Sequence, residues 1–279
     1  MKFAICNETF VDWPFERAMA VARECGYTGI EFAPFTMGSD AYAISEAKRK
    51  EVRSQLAAAG LEAVGLHWLL AKTQGYYLTS PDAAVRSRTS SYLAELARLC
   101  HDLGGNIMVL GSPQQRNLLP GIGHDDAMKY AAEVIRGATE TFRQTGVTLA
   151  VEPLGPQEGN FLNTADLGVE LVRLVDSPNC RLHLDVKAMS TEAIPVADNI
   201  RQHAPWMVHF HANDPNRRGP GMGDMDFVPI FAALRDVGYE GWVSVEVFEY
   251  TYPTGLDGLA RDSIDYMRRC LSALTPPNA

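Results

Sequence analysis

Four residues with metal-binding or acid–base side chains recur along the second half of the chain at similar spacing. They are Glu152, Asp185, His211 and Glu246, and each ends a short apolar run: VTLAVE, RLHLD, MVHFH and VSVE. Successive members are separated by 33, 26 and 35 residues. In a (β/α)₈ barrel of ~250 residues one strand–helix unit takes about 31 residues, and catalytic side chains lie at the carboxyl ends of the strands. The spacing therefore predicts that the four side chains meet at one rim of such a barrel.

Three carboxylates and an imidazole at one rim favour a bound cation. Buried carboxylates repel one another and would otherwise take up protons, a conflict that a divalent cation removes. Oxygen-rich ligation with one His suits Mn²⁺, Mg²⁺ or Co²⁺ better than a structural zinc site. We expect one divalent ion per chain, with Mn²⁺ first and Mg²⁺, Co²⁺ or Zn²⁺ as alternatives, and its predicted ligands are Glu152, Asp185, His211 and Glu246. A single Glu at a strand end more often forms a salt bridge, so the prediction depends on the four residues together.

Two more histidines, His183 and His209, precede Asp185 and His211 by two residues. Strand geometry points each of them the same way as its neighbour, one layer deeper in the barrel. There they either orient the ligands or are hydrogen-bonded core histidines. We interpret His183 as a core residue, and both interpretations stay open for His209.

Three further residues are candidates for substrate contact. His67 ends the run AVGLH, and the adjacent Trp68 offers an apolar wall. Glu158 lies in the segment after Glu152, within reach of a substrate hydroxyl. Arg217 lies in ANDPNRRGPGMGDMDF, a loop rich in Asn, Asp, Gly and Pro, and its guanidinium suits bidentate contacts with substrate oxygens. The alternative for Glu158 and Arg217 is a solvated loop side chain.

Short apolar runs alternate with segments of helical period, and these elements must position the site. Strands are predicted at Phe3–Cys6, Gly29–Phe32, Ala63–His67, Ile107–Leu110, Thr148–Glu152, Arg181–Asp185, Met207–His211 and Val243–Val247. Helices are predicted at Pro14–Cys25, Ser45–Ala59, Asp82–Leu103, Asp125–Thr145, Thr164–Val175, Asp226–Val237 and Gly258–Leu274, with a short one in Thr191–Gln202, which Pro195 interrupts. The alternation predicts parallel strands joined by right-handed crossovers.

Eight such units predict an α/β fold, a closed (β/α)₈ TIM barrel, as one domain over residues 1–279. The length of 279 residues fits one barrel of about 250 residues. An open doubly wound sheet is the alternative, but it usually carries a glycine-rich turn after the first strand. The corresponding segment here, CNETFVDWP, has no glycine.

The composition of the chain restricts the classes of molecule that the protein is expected to bind. The formal net charge of -9 disfavours nucleic acid, whose phosphates the protein would repel. Five widely spaced cysteines without a CxxC motif indicate reduced thiols in a cytoplasmic protein. The amino terminus resembles no signal peptide, and no apolar run approaches the ~20 residues of a membrane span. We therefore expect neither a nucleic-acid nor a membrane partner, and leave open a homodimer or homotetramer.

The motifs LAVEP, HLDVKAM, HFHANDPNR and VSVEVF resemble those of the xylose-isomerase-like TIM barrels, in particular the ketose 3-epimerases typified by D-tagatose and D-psicose 3-epimerases. The resemblance covers nearly the whole chain. It implies that Glu152, Asp185, His211 and Glu246 are the metal ligands and that Glu152 and Glu246 are also the acid–base pair. It further implies that Glu158 and Arg217 contact substrate. One departure is Ala188, which stands where that family usually carries a substrate-binding His three residues after the Asp ligand.

The predicted reaction is proton abstraction next to a ketose carbonyl through a metal-bound enediolate, giving 3-epimerisation or isomerisation of a small sugar. The alternative is a metal-dependent lyase or dehydratase that eliminates a β-substituent from a keto-sugar or keto-cyclitol, with His67 as the acid. A phosphodiesterase would require several metals and a basic face. A sugar-binding module without activity would not require two metal-bound carboxylates.

Overall fold

Eight short strands pair side by side, each parallel to its neighbours, and the last pairs with the first to close the sheet. The strands are β1 (Lys2–Cys6), β2 (Gly29–Phe32), β3 (Glu62–Leu66), β4 (Ile107–Leu110), β5 (Thr148–Val151), β6 (Cys180–Asp185), β7 (Met207–Ala212) and β8 (Trp242–Val245). This computed structural model describes residues 1–274. The predicted (β/α)₈ barrel is confirmed, and the predicted extension of the domain to residue 279 lies outside the described residues.

Helices surround the barrel and connect successive strands. They are α1 (Phe15–Cys25), α2 (Glu46–Ala59), α3 (Ala83–Leu103), α4 (His124–Arg136), α5 (Thr139–Thr145), α6 (Ala165–Val175), α7 (Val186–Met189), α8 (Val196–His203), α9 (Val228–Asp236) and α10 (Gly255–Ala273). Several begin at a side chain that accepts a hydrogen bond from the first turn, as Ser45, Asp82 and Thr164 do. Such caps satisfy backbone N–H groups that the helix itself leaves free.

One helix prediction is wrong, and one short helix was not predicted. The segment predicted as one helix over Asp125–Thr145 forms α4 and α5, separated at Gly137 and Ala138. Glycine weakens a helix, and here it also permits a close approach, because an added Cβ at Gly137 would lie 2.3 Å from Oγ of Ser90 in α3. The short helix α7 was not predicted, because Asp185 ends β6 and at once begins this new turn.

Apolar side chains fill the layer between strands and helices, while the barrel strands also bury charged and imidazole side chains. All five cysteines are buried there with free thiols. Gly65 lies where β3 meets β4, and an added Cβ would be 1.7 Å from the carbonyl oxygen of Ile107, so the position requires glycine. Among residues 1–274, none of the helices combines the length and the hydropathy that crossing a bilayer requires.

Candidate metal centre and active site

The four predicted ligands come from the ends of β5 to β8. Asp185 is the last residue of β6 and pairs in register with His211 of β7. Glu152 and Glu246 are the first residues after β5 and β8. Their exposed fractions are 6% or less. The structure therefore brings all four side chains to the carboxyl-terminal rim of the barrel in a buried environment.

The Glu152 carboxylate lies in a space that exists because residue 111 is glycine. An added Cβ at Gly111 would lie 1.5 Å from Oε2 of Glu152. The backbone of Glu152 is also held, since Nη1 of the buried Arg116 donates to its carbonyl oxygen at 2.6 Å and to that of Leu110 at 3.2 Å. Arg116 thus connects the segments that follow β4 and β5 and holds Glu152 at the rim.

Two donors fix the orientation of the Asp185 carboxylate. The backbone N–H of Ala188 donates to Oδ1 at 2.7 Å, and Nδ2 of Asn213 donates to Oδ2 at 2.6 Å. The first contact is the N-cap of α7, and the second comes from the residue just after β7. The same side chain therefore begins a helix and presents a fixed carboxylate to the rim.

His211 lies between two carboxylates. Its Nε2 is 3.2 Å from both carboxylate oxygens of Glu31, and its Nδ1 is 3.2 Å from Oε2 of Glu246. Burial alone would lower the pKa of His211, but the charges of Glu31 and Glu246 raise it well above its ordinary value. A carboxylate on one ring nitrogen of a metal-binding His commonly fixes the tautomer and leaves the other nitrogen for the metal. Glu31 is placed to do this for Nδ1 of His211.

Glu31 is a fully buried residue in the middle of β2. Nε2 of His209 lies 2.8 Å from its Oε2, so His209 contacts the carboxylate that in turn contacts His211. Burial acts to raise the pKa of Glu31, but His209 and His211 hold it well below its ordinary value. Of the two interpretations of His209, this contact favours the one in which it supports a ligand.

His183 lies against the predicted ligands. Its ring centroid is 4.2 Å from that of His211, and its Nε2 is 3.9 Å from Oε1 of Glu152. Neither ring nitrogen has a hydrogen-bond partner within residues 1–274. Burial, together with His211 and His209, lowers its pKa well below the ordinary value, so the ring is neutral and its nitrogen can act as a ligand. His183 was interpreted as a core residue, and its closeness to His211 and Glu152 favours a role beside the predicted ligands instead.

Together these side chains form a cluster of donor atoms that suits a divalent cation. Ligand atoms of Glu152, His183, Asp185 and His211 lie within 4.8 Å of one another, and Glu246 adjoins them through His211. The donor atoms are carboxylate oxygens and imidazole nitrogens. The ring nitrogens of His183 make no hydrogen bond within residues 1–274, so one of them is available to bind a metal ion. Such a mixed oxygen and nitrogen set fits Mn²⁺, Co²⁺ or Zn²⁺. These residues could therefore hold a metal ion.

The three carboxylates differ in their electrostatics. Burial and the charges of Glu246 and Asp185 raise the pKa of Glu152 well above its ordinary value. Burial also raises the pKa of Asp185 to about 6, with Lys187 opposing the effect. For Glu246 burial is outweighed by His211, which lowers its pKa. Like charges buried together make this rim a site that favours a cation.

A cavity of about 240 Å³ opens above these residues. Glu152 and Glu246 both line it, and Nε1 of Trp68 donates to Oε1 of Glu246 at 2.8 Å. The remaining lining residues follow several different strands: His67, Trp68, Gly111, Pro113, Leu154, Gln157, Glu158, Lys187, Pro215, Arg217 and Phe248. All three residues predicted to contact substrate, His67, Glu158 and Arg217, are therefore at this cavity.

His67 is tied to a residue that sequence reasoning missed. Its Nε2 lies 2.8 Å from Oε2 of Glu8, and both side chains are buried. Burial acts to lower the pKa of His67, but Glu8 reverses the effect and raises it. Glu8 follows β1 in a short 3₁₀ turn, Asn7–Thr9. Ligand atoms of Glu8, His67 and Glu246 lie within 4.8 Å of one another, so this pair adjoins the predicted ligand Glu246.

Lys187 enters the cavity because β6 does not continue past Asp185. A continued strand would have turned Lys187 away, whereas the turn of α7 directs its ammonium to Oε2 of Glu158 at 2.6 Å. The same ammonium lies 4.7 Å from the centroid of the Phe248 ring. Burial acts to lower the pKa of Lys187, but Asp185 and Glu158 raise it, so the group carries a positive charge.

Arg217 lies at the outer edge of the cavity with its side chain 60% exposed. Its backbone has a φ of 73°, in the left-handed region, and its carbonyl oxygen accepts from the N–H groups of Phe248 and Glu249. The guanidinium lies 5.7 Å from the centroid of the Phe248 ring. The loop is thus held to the segment after β8, which directs Arg217 towards the cavity mouth.

Several residues of the site were not identified from the sequence, among them Glu8, Glu31, Arg116, Lys187 and Asn213. Glu31 did carry a signal, since a charged residue inside the buried strand GIEF requires a partner. Arg116 and Glu8 lie in loops whose burial no periodicity reveals. The direction of the Lys187 side chain depends on where β6 ends, which the sequence did not indicate.

The structure is a (β/α)₈ barrel with a buried cluster of carboxylates and imidazoles at the carboxyl-terminal ends of its strands. The model of the family described as xylose isomerase-like TIM barrel matches residues 19–270. The chain belongs to this family.

Two relatives indicate which branch the chain resembles. It is 35% identical over 181 residues to a D-psicose 3-epimerase of Agrobacterium fabrum, covering 62% of this chain and 61% of that protein. It is 31% identical over 233 residues to an L-ribulose 3-epimerase of Mesorhizobium japonicum, covering 84% and 75%. The chain thus spans about three fifths of the length of the first relative and three quarters of the second.

A solved structure shares the fold over almost the whole chain. The D-psicose 3-epimerase of Clostridium cellulolyticum H10, determined with D-tagatose, superposes with a TM-score of 0.86 at 22% identity, covering 97% of this chain and 99% of that one. At this identity the likeness concerns the fold. All three similar proteins are epimerases, and none of the three supports the lyase alternative.

Proposed function

We propose that the protein is a divalent-metal-dependent sugar epimerase, specifically a ketose 3-epimerase. The observation that carries the proposal is that two buried carboxylates, Glu152 and Glu246, line one small cavity beside the donor cluster. The similarity to D-psicose and L-ribulose 3-epimerases supports a ketose as the substrate class.

The two carboxylates can serve as an acid–base pair. They follow β5 and β8, which are three strands apart around the barrel, so they approach a bound molecule from different sides. One removes the proton from the carbon next to the keto carbonyl, leaving a planar enediolate. The other delivers a proton to the opposite face of that carbon, which inverts its configuration. Return to the neighbouring carbon would give isomerisation instead.

Glu152, Asp185, His211 and Glu246 are the residues that would hold the metal, and His183 lies next to them. A divalent cation at this rim would polarise the keto carbonyl and acidify the adjacent C–H. The surrounding residues keep the donors in place. Asn213 orients Asp185, Glu31 holds one side of His211, and Trp68 holds Glu246. Fixed donors of this kind avoid reorganisation during the reaction.

Charged residues near the cavity mouth would position the sugar. The ammonium of Lys187 and the carboxylate of Glu158 form a pair that can exchange hydrogen bonds with neighbouring hydroxyls. Lys187 is adjacent to Ala188, the position that departs from the family pattern, and a charged donor there can stabilise the oxygen that gains negative charge in the enediolate. Arg217 can donate to the distal hydroxyls from the outer edge.

Proton exchange in D₂O tests the proposal. D-Fructose, D-psicose, D-tagatose and L-ribulose are incubated with Mn²⁺-loaded protein and followed by proton NMR. We expect loss of the C3 proton signal and appearance of the C3 epimer, both abolished by chelation and restored by Mn²⁺ or Co²⁺. If the metal-loaded protein leaves the C3 proton of these ketoses, and of glycosides that contain a ketose, unexchanged, the proposal fails.

A further inference from the structure

A second cavity, of about 490 Å³, lies beside the first. Six aromatic side chains line it: Phe10, Trp13, Phe15, Phe35, Trp68 and Tyr250. Trp68 also lines the first cavity and donates to Glu246, so one indole ring borders both spaces. We call this second space the aromatic cavity. None of the steps proposed above makes use of it.

A buried carboxylate lies where the two cavities adjoin. Glu8 lines the aromatic cavity and is 7% exposed, while its partner His67 lines the first cavity. Oε2 of Glu8 lies 2.8 Å from Nε2 of His67 as an ion-pair contact, and neither carboxylate oxygen has a hydrogen-bond partner among residues 1–274, so Oε1 has no contact with a donor at all. A buried carboxylate oxygen without a donor is costly, so this atom requires a donor from a bound molecule or from water.

The chemistry of the aromatic cavity fits a sugar ring. Aromatic faces carry a partial negative charge that attracts C–H groups, and the faces of pyranose rings present C–H groups. The hydroxyls at the edge of such a ring can donate to a carboxylate, as Oε1 of Glu8 requires. The ammonium of Lys72 lies 3.9 Å from the centroid of the Phe35 ring, and the guanidinium of Arg17 lies 3.6 Å from that of Trp13. Each cation already has a partner and covers one face of its ring, which leaves the other face for a ligand. Aromatic faces together with a carboxylate acceptor suit a neutral, hydroxyl-rich ligand.

We propose that the aromatic cavity binds a second sugar ring, joined by a glycosidic bond to the keto-sugar in the first cavity. The inference rests on the proposed function and specifies its substrate class as a keto-disaccharide. The first cavity, at about 240 Å³, is below the usual ~300–1,000 Å³ of ligand pockets, which suits a single sugar unit. The adjoining aromatic cavity provides the room for the second.

Two keto-disaccharides of different linkage, lactulose and isomaltulose, test the inference against free D-fructose. Turnover of each by Mn²⁺-loaded protein gives kcat/KM, and calorimetry gives Kd independently of turnover. The variants are Trp13→Ala and Tyr250→Ala, the second being a more exposed residue whose loss spares the core. The control is Tyr42→Ala, which removes a tyrosine that is 55% exposed and lines neither cavity. Thermal unfolding confirms that each variant is folded.

We expect at least one disaccharide to have a higher kcat/KM than D-fructose. The ratio of the two values should fall about tenfold or more in Trp13→Ala or Tyr250→Ala, on the scale of a lost apolar pocket contact, and stay unchanged in Tyr42→Ala. If D-fructose reacts but neither disaccharide binds more tightly or reacts faster, the second sugar site is refuted and the epimerase proposal stands. If no ketose reacts but a disaccharide binds, and binds more weakly only in the two cavity variants, the second sugar site stands and the epimerase proposal fails.

Discussion

The carboxylate of Glu246 is held by two neighbours that a glutamine could keep in part. Nε1 of Trp68 donates to Oε1 at 2.8 Å, and Nδ1 of His211 lies 3.2 Å from Oε2. Replacing Glu246 by Gln keeps the size of the side chain and the acceptor for Trp68, but it removes the group that can accept a proton. The variant therefore separates proton transfer from packing.

We expect metal-loaded Glu246→Gln to lose roughly 10²–10⁴-fold in the rate of ketose turnover, the usual scale of general acid–base catalysis. Glu240→Gln, at an exposed position, serves as the control. Metal content is measured before the kinetics are compared. Wild-type turnover by fully metal-loaded Glu246→Gln and Glu152→Gln would show that the two carboxylates do not transfer protons.

Gly111 provides a second test at the residue scale. The added Cβ of Gly111→Ala would lie 1.5 Å from Oε2 of Glu152, so the carboxylate must move. We expect weaker Mn²⁺ binding by calorimetry and at least tenfold slower turnover, with a far-UV circular dichroism spectrum like that of the wild type. Gly123→Ala is the matched control, because nothing lies within 4 Å of its added Cβ. Equal metal affinity in both variants would contradict the role assigned to Gly111.

Residues that end an apolar run could be predicted as site residues, because the position of Asp185 or Glu246 in a barrel unit is visible along the sequence. Glu8 and Arg116 could not be predicted in this way. Each is buried through contacts with a segment distant in sequence, as Glu8 is with His67 and Arg116 with Glu152. Those contacts exist only once the barrel has closed.

The observed strands and most of the observed helices agree closely with those predicted from the sequence. The reason for the agreement differs between strands and helices. The strands are covered on both faces, so they form apolar runs, and each predicted boundary lies within two residues of the observed one. Helix ends could be predicted from capping residues such as Gly60, which has a φ of 67° at the end of α2. The break between α4 and α5 was missed although Gly137 marks it, because a single glycine inside a helical pattern is often tolerated.

The cap of α3 gives a prediction at the scale of the element. Oδ1 of Asp82 accepts from the backbone N–H of Ala84 at 2.8 Å. Asp82→Ala should lower the free energy of unfolding by about 1 kcal/mol, the typical effect of losing an N-cap side chain. Urea denaturation measures this, with Asp126→Ala, in an exposed first-turn position of α4, as the control. A loss in the control as large as in Asp82→Ala would refute the capping contribution.

Metal binding should stabilise the whole barrel. Glu152, Asp185 and Glu246 are buried together on different strands, and a bound cation would neutralise their repulsion in the folded state alone. Ligand linkage gives about 2.7 kcal/mol at a free metal concentration one hundred times Kd. We therefore expect scanning calorimetry to give a lower Tm in the presence of a chelator and a rising Tm as Mn²⁺ is added back. An unchanged Tm across that titration would argue against a metal site at this rim.

The five buried thiols allow local unfolding of the barrel to be measured by the rate at which they react. The thiolate is the reactive species, and burial raises the pKa of Cys180 to about 12, so both access and ionisation are suppressed while the barrel is closed. Labelling with a chromogenic disulfide reagent should be slow in the folded protein and immediate for all five thiols in urea. The labelling rate of each cysteine, resolved by mass spectrometry, would then give the opening frequency of its surroundings. Rapid modification of any of them in the native state would instead reveal a part of the barrel that opens on its own.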